Sequence, residues 1–198
     1  MSGSDAELIT VILQSLNPCL SALREHASKW MDETCKIDVS GALCIRHTPN
    51  IAPQAFLFRL FPQANRSWLS ASRNASIPNS YRAVLGIMNG CFAYGQNFTL
   101  YGLAPSMQEL VPQIDRQILQ PLDIGLANRS WKAGYRLYDS ELFHFGSRYY
   151  SAQENAGFFL CRDGRILSTL TSGEIIGTWE AFERFLEHEL AAAAVGIQ

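Results

Sequence analysis

Charge is scarce in this sequence: 17% of its 198 residues are Asp, Glu, Lys or Arg, and the formal net charge is −2. So balanced a chain has no global attraction for nucleic acid or an anionic membrane. Cysteine is also sparse. The five, at positions 19, 35, 44, 91 and 161, are odd in number and show no Cys-x-x-Cys spacing. They read as free thiols and not as a disulfide or metal framework. The four histidines (26, 47, 144, 188) form no close-spaced pair, which argues against a local zinc site. No apolar run is long enough to span a membrane, and Met-Ser-Gly-Ser-Asp-Ala-Glu at the start carries no positive charge. A cytoplasmic protein with no membrane partner is the expectation. The Asn-x-Ser/Thr sequences at Asn65, Asn74, Asn97 and Asn128 then have no glycosylating compartment in which to act. Phosphate-cradling glycine loops, Gly-x-Ser-x-Gly and His-Glu-x-x-His are all missing, so no familiar catalytic or cofactor motif is in view.

What is present is apolar material, 47% of the chain, enough for one sizeable core. The stretch Ile77 to Gly102 organises the rest. Ser76 suits a helix cap, Pro78 suits a first turn, and Tyr81, Val84, Leu85 and Met88 recur at helical spacing. Asn89-Gly90 then reads as a left-handed helix stop, and Phe98 to Tyr101 as a strand ending at Gly102.

Before that stretch, Ser4-x-x-Glu7 reads as a capping box opening a helix that Pro18 divides or bends, with the apolar face continuing to Trp30 and Met31. Ile37 to Ile45 and Ala55 to Phe61 are candidate strands, and 63–76 reads as polar loop anchored by Trp68 and Leu69. After it, Ser106-x-x-Glu109 opens another helix, and Leu122 to Gly134 reads as short helix plus loop. Leu142 to Phe145 is a strand, followed by a polar loop over Ser147 to Asn155. Gly157 to Arg162 and Arg165 to Leu170 flank Asp163-Gly164, which suits a two-residue type I′ hairpin turn. Thr178 then caps a last helix carrying Trp179, Phe182, Phe185, Leu186 and Leu190 inward, with Glu180, Glu183, Glu187 and Glu189 facing water. The pattern predicts a single α+β domain, a mainly antiparallel mixed sheet with helices before and after it.

Candidate chemistry is thin. His144 between two phenylalanines reads as a half-exposed structural histidine, and Cys91 near a helix C-terminus reads as unreactive. Arg59, Arg66, Trp68 and Arg73 come nearest to a basic stripe with aromatics, yet they are too scattered to predict direct nucleic-acid binding. A cofactor is not expected. Arg148, Tyr149 and Tyr150 stand out instead, because adjacent aromatics beside an arginine in a polar loop are typical of protein interfaces. Charge is also divided by segment. Residues 46–136 hold nine basic and three acidic groups (+6), and 139–190 hold four basic and nine acidic (−5). Glu141 and Asp163, in the acidic half, are expected to join Arg148, Tyr149 and Tyr150 in one partner-binding surface.

Ile77-Pro78-x-Ser80-Tyr81, the helical run, Asn89-Gly90 and Leu100-Tyr101-Gly102 together resemble the SUKH superfamily, which includes fungal cell-wall-assembly regulators and bacterial toxin-immunity proteins. The resemblance continues in Leu142-Phe143-His144-Phe145-Gly146, in the hairpin at Asp163-Gly164 and in the run from Thr178 to Leu186. It covers residues 76–190, with an insertion near 103–141, and leaves 1–75 as an N-terminal helical segment and first strands. It implies structural roles for Pro78, Tyr81, Asn89, Gly90, Tyr101, Gly102, Phe145, Gly146, Gly164, Trp179, Phe182 and Phe185. It also implies a non-enzymatic binding module: an immunity protein whose partner is a cognate toxin, such as a nuclease, or a scaffold of the cell-wall-assembly type. A small-molecule enzyme is the remaining expectation, and it would need a deep polar pocket lined by two or more of His47, His144, Cys91 and Glu141.

Overall fold

A computed structural model of the protein describes residues 3–16, 19–48, 56–71, 76–104, 120–137 and 141–195. Helices α1 (Gly3–Ser15) and α2 (Ser21–Ser28) precede strands β1 (Lys36–Ile37), β2 (Leu43–His47) and β3 (Phe56–Leu60). Helices α3 (Arg66–Ser70) and α4 (Asn79–Leu85) lead to β4 (Cys91–Ala93) and β5 (Phe98–Leu100). Helix α5 (Ile124–Arg129) and a 3₁₀ turn (Trp131–Tyr135) precede β6 (Phe143–Tyr149), β7 (Asn155–Leu160), β8 (Ile166–Leu170) and β9 (Ile175–Trp179), and α6 (Phe182–Ala194) closes the order. The nine strands form one sheet in which each pairs antiparallel with the next. Gly102 and Asp123 add an isolated parallel bridge. The α+β prediction holds. The helix expected from Ser106 lies outside the described residues.

Alternation along the strands sets the two faces. Leu43, Ile45, Phe58, Leu60, Cys91, Ala93, Phe98, Leu100, Phe145 and Phe158 join Tyr81, Val84 and Leu85 of α4 and Phe185, Leu186 and Leu190 of α6 in the main core. One cross-strand row, Cys44, Arg59, Phe92, Thr99, Ser147, Gly157 and Thr169, runs across the other face. Two smaller apolar groups sit apart from the main core, Ala42–Phe61–Phe92 and Tyr135–Leu142–Phe159.

Several local expectations are corrected. Ser4 falls inside α1, not at its cap. The segment 37–45 is a hairpin and not one strand, turning at Gly41 where Asp38 accepts hydrogen bonds from the Ser40 and Ala42 amides. α4 begins after Pro78 without help from Ser76, and its regular turns end at Leu85, with one last i→i−4 bond from the Met88 amide to the Val84 carbonyl at 2.8 Å. Asn89 and Gly90 follow that last bond, but make no capping bond back to the helix. Their backbone is claimed by the sheet: the Asn89 amide donates to Pro62 and the Gly90 carbonyl accepts from Phe61. Gly90 does have the left-handed φ expected, +85°, and an added Cβ would lie 2.6 Å from the Leu100 carbonyl oxygen. Two independent constraints thus fix glycine there. Gly102 has the second only, since an added Cβ would run into the Asn89 carbonyl oxygen. That close approach lets the Asn89 side chain clamp Leu103, donating to its carbonyl at 2.9 Å and accepting from its amide at 2.7 Å.

The Tyr81 hydroxyl donates to the Tyr101 carbonyl at 2.7 Å, with the Phe145 carbonyl at 3.1 Å, and so ties α4 to β5 and β6. Gly146 sits at a register shift in β6. The β7–β8 hairpin turns where expected, but not as type I′. Gly164 donates to the Cys161 carbonyl at 3.0 Å, and of the loop residues only Gly164 has positive φ. Arg162 and Asp163 are then the central pair, with Gly164 as the left-handed residue of a three-residue loop. Thr178 and Trp179 are not helical. They pair with Leu167 and Ile166 as part of β9, and α6 starts after Ala181. Phe185 is fully buried against the rings of Phe98, Phe145 and Phe158, whereas Trp179 and Phe182 are half-buried around it.

Candidate partner-binding site

The arginine expected in an exposed loop is not in one. Arg148 is on β6, opposite Phe98, and is 8% exposed. Its side chain enters the space under α6 and its Nε donates to Glu189. Glu189 is fully buried and does not face water. The periodicity explains this: Phe182, Phe185, Leu186, Glu189, Leu190 and Ala193 fall on one stripe of α6, so the carboxylate is carried into the core by its register. A carboxylate so placed would be costly alone, and the guanidinium offsets that cost. The remaining oxygen, Oε1, lies 3.5 Å from Nδ1 of the exposed His188.

This ion pair holds a platform. Arg148 Nη1 donates to the Tyr149 carbonyl at 3.3 Å, and the guanidinium carbon lies 5.5 Å from the centre of the Tyr150 ring. The Tyr149 amide donates to Asn97 and the Tyr150 amide to Glu154. The two tyrosines are 50% and 47% exposed, although their backbone is fixed. Around them are the β4–β5 turn, in which Tyr94, Gly95 and Gln96 all have positive φ, and the β8–β9 turn. The latter reaches over through Thr171, whose hydroxyl donates to Glu154 at 3.2 Å. Glu154 and the exposed Glu174 give this end of the sheet an acidic edge.

Glu141 and Asp163 are not part of that platform. They flank the β7–β8 turn, where Arg162 bonds Glu141 at 3.1 Å and Arg165 bonds Asp163 at 2.7 Å. The Arg165 backbone amide, and after it the guanidinium, holds the Asp163 carboxyl below its usual range. Six residues of β7 separate the two groups, about 20 Å at strand rise. The acidic carboxylates predicted as one surface with the tyrosines therefore divide between the two ends of the sheet.

The four residues named for an enzyme pocket also stay apart. His47 is exposed at the end of β2, against Phe56, and Glu141 is exposed beside Arg162. Cys91 faces the main core, where burial pushes its thiol up to about 12. His144 is on the opposite face and wholly buried, not half-exposed. It stacks on Phe159 at 4.6 Å and is met edge-on by Tyr101 and Tyr135, each 5.1 Å away. No group meets hydrogen-bond geometry at either ring nitrogen; backbone groups of Gly146 and Ala127 lie near enough to favour the charged ring, but burial outweighs them and lowers its pKa to about 4. Of the basic stripe, Arg59 is buried in an ion pair with Asp38, Arg66 and Trp68 lie on α3, and Arg73 is outside the described residues. Among the described residues no group of three or more His, Cys, Asp or Glu is arranged to hold a metal ion, and no helix is long and apolar enough to cross a membrane. No family model, curated protein or solved structure matches the chain.

Proposed function

We propose that the protein is a stoichiometric binding module of the SUKH kind, an immunity protein that masks a cognate toxin, with a nuclease as the partner its acidic edge suits best. The observation that carries this reading is the Tyr149–Tyr150 platform, two neighbouring exposed aromatics braced from beneath by a buried ion pair. Anchors held in place before contact lose little freedom on binding. Tyrosines of this kind supply most of the energy in protein interfaces. Glu154 and Glu174 beside them would meet a phosphate-binding groove with the opposite sign and hasten encounter.

The test begins with capture and identification of the tight-binding protein partner, followed by titration calorimetry. Replacing both Tyr149 and Tyr150 by alanine costs about 2 kcal/mol or more of affinity while leaving the melting temperature nearly unchanged. Changing Glu154 and Glu174 to lysine slows association, and added salt slows it in the parent. A double tyrosine variant that binds like the parent places the interface elsewhere. Turnover of a substrate by the purified protein without any partner rejects the binding-module reading.

A further inference from the structure

At the opposite end of β7 from the tyrosines, α4, the β7–β8 hairpin and the start of α6 enclose a cavity of about 210 Å³. Its floor is Tyr81, Val84, Phe145, Leu160 and Ile166, all buried, and Phe182 forms one half-exposed wall. The Tyr81 hydroxyl is already engaged by backbone carbonyls. The interior thus offers apolar and aromatic surface with no unmet polar group from that residue, which fits an apolar body. An enclosed apolar cavity of about 150 Å³ is enough to take benzene, so this one has room for a substituted ring.

The mouth has a different character. Ser80, half-buried Cys19, Gly164 and Glu180 surround it, and it opens beside a shallower depression that includes Asn79, Glu141 and Arg162. The charged groups nearby are Glu141, Asp163, Glu180 and Glu183 against Arg162 and Arg165. Arg162 is paired with Glu141 and Arg165 with Asp163. Among the described residues no ion pair engages Glu180 or Glu183, although Arg165, bonded to Asp163, also acts electrostatically on Glu180, and Glu183 acts on Cys19 in the cavity wall. The rim therefore carries a net negative charge over an aromatic floor.

We propose that this cavity binds a compact aromatic group with a cationic head, an arylalkylamine in chemical class, the ring against Tyr81, Phe145 and Phe182 and the ammonium at Glu180. The assignment does not rest on the toxin-binding reading, since the tyrosine platform is at the far end of the sheet and either site stands without the other.

Phenethylamine, 2-phenylethanol and phenylacetate are the probes, titrated to millimolar concentration while the methyl signals of Val84, Leu160 and Ile166 are followed by NMR. All three share the ring and differ in the sign of the head. Phenethylamine binds tightest, by about threefold over the alcohol for an exposed ion pair, and phenylacetate binds most weakly. Glu180→Gln removes the preference for the amine and leaves the alcohol's affinity as it was. Val84→Phe fills the floor and abolishes binding of all three. Should that variant fail to fold, Ser80→Trp, an exposed rim position, covers the mouth and has the same effect. Absence of saturable shifts with every probe overturns the site. Equal affinity for phenethylamine and phenylacetate overturns the cationic head, and undiminished binding in Ser80→Trp overturns the location.

Discussion

His144 makes the stability of this protein depend on pH in a window where few other side chains titrate. The ring is buried between Phe159, Tyr101 and Tyr135 with no hydrogen bond of good geometry, and Lys132 is the nearby cation. Burial lowers its pKa from 6.5 to about 4, against the opposing pull of the Gly146 and Ala127 backbone and with a small addition from Lys132. Between these values the unfolded chain holds a proton that the folded chain does not. Stability is therefore full above about pH 6.5, falls as pH drops toward about 4, and loses nothing more to this group below that, where both states are protonated. A depression of this size corresponds to about 3 kcal/mol across the window. His144→Phe removes the titrating group, keeps a ring against Phe159 and gives up no hydrogen bond of good geometry, so the variant stays within about 1.5 kcal/mol of the parent at pH 7. Urea unfolding at half-unit steps from pH 7.5 to 4.5 measures both proteins. The difference between their curves isolates His144 from His26, whose pKa is also lowered by burial, and from the depressed carboxyls Asp32, Asp38 and Asp163, which lose stability only below their ordinary range. Parallel curves for parent and variant across the window would refute the reasoning.

Breaking the buried pair by Glu189→Gln or Arg148→Met leaves one charge alone under α6 and costs about 3–5 kcal/mol, read by denaturant unfolding, while Arg148→Met with Glu189→Leu restores most of the loss. Gly90→Val meets both the left-handed φ and the Leu100 carbonyl, so its melting temperature falls by more than the roughly 1 kcal/mol expected from backbone preference alone. Tyr81→Phe leaves the Tyr101 carbonyl without its buried donor and costs about 1–3 kcal/mol, again by urea unfolding; an unchanged midpoint would show that water replaces the hydroxyl.

Much of the fold is legible in the sequence because its signals are local. The apolar run Ala55 to Phe61, broken by one charge at Arg59, and the runs on either side of Asp163-Gly164 locate β3, β7 and β8 closely, and the period of Phe182, Phe185, Leu186 and Leu190 gives α6 its buried face. Where the local signal misleads, a long-range partner decides. Thr178 and Trp179 look like a helix start, yet β8 offers them hydrogen bonds. Cys91 to Ala93 are too short a run to signal a strand, yet they lie between β3 and β5, which supply their hydrogen bonds. At the site, exposed Tyr149 and Tyr150 are readable from composition. The burial of Arg148 is not, because it depends on a residue 41 positions later. Glu189 does carry a signal: it sits four residues after Phe185 and three after Leu186, on the apolar stripe where its charge demands a partner.

The order of strands in the sheet is the order of strands in the chain, and this bears on how the protein is made. Each strand's partner is the one synthesised just before it, so the sheet can lengthen from one edge as the ribosome advances. α2 is the exception. It packs on α6, which is complete only after roughly 165 more residues have been added, about 8 to 33 seconds at ordinary elongation rates. Throughout that interval Leu23 and Ala27, fully buried in the finished protein, lack the surface that finally covers them. Until then the apolar face of α2 stays open to chaperones and to association with other copies of the chain, and the arrival of α6 closes it.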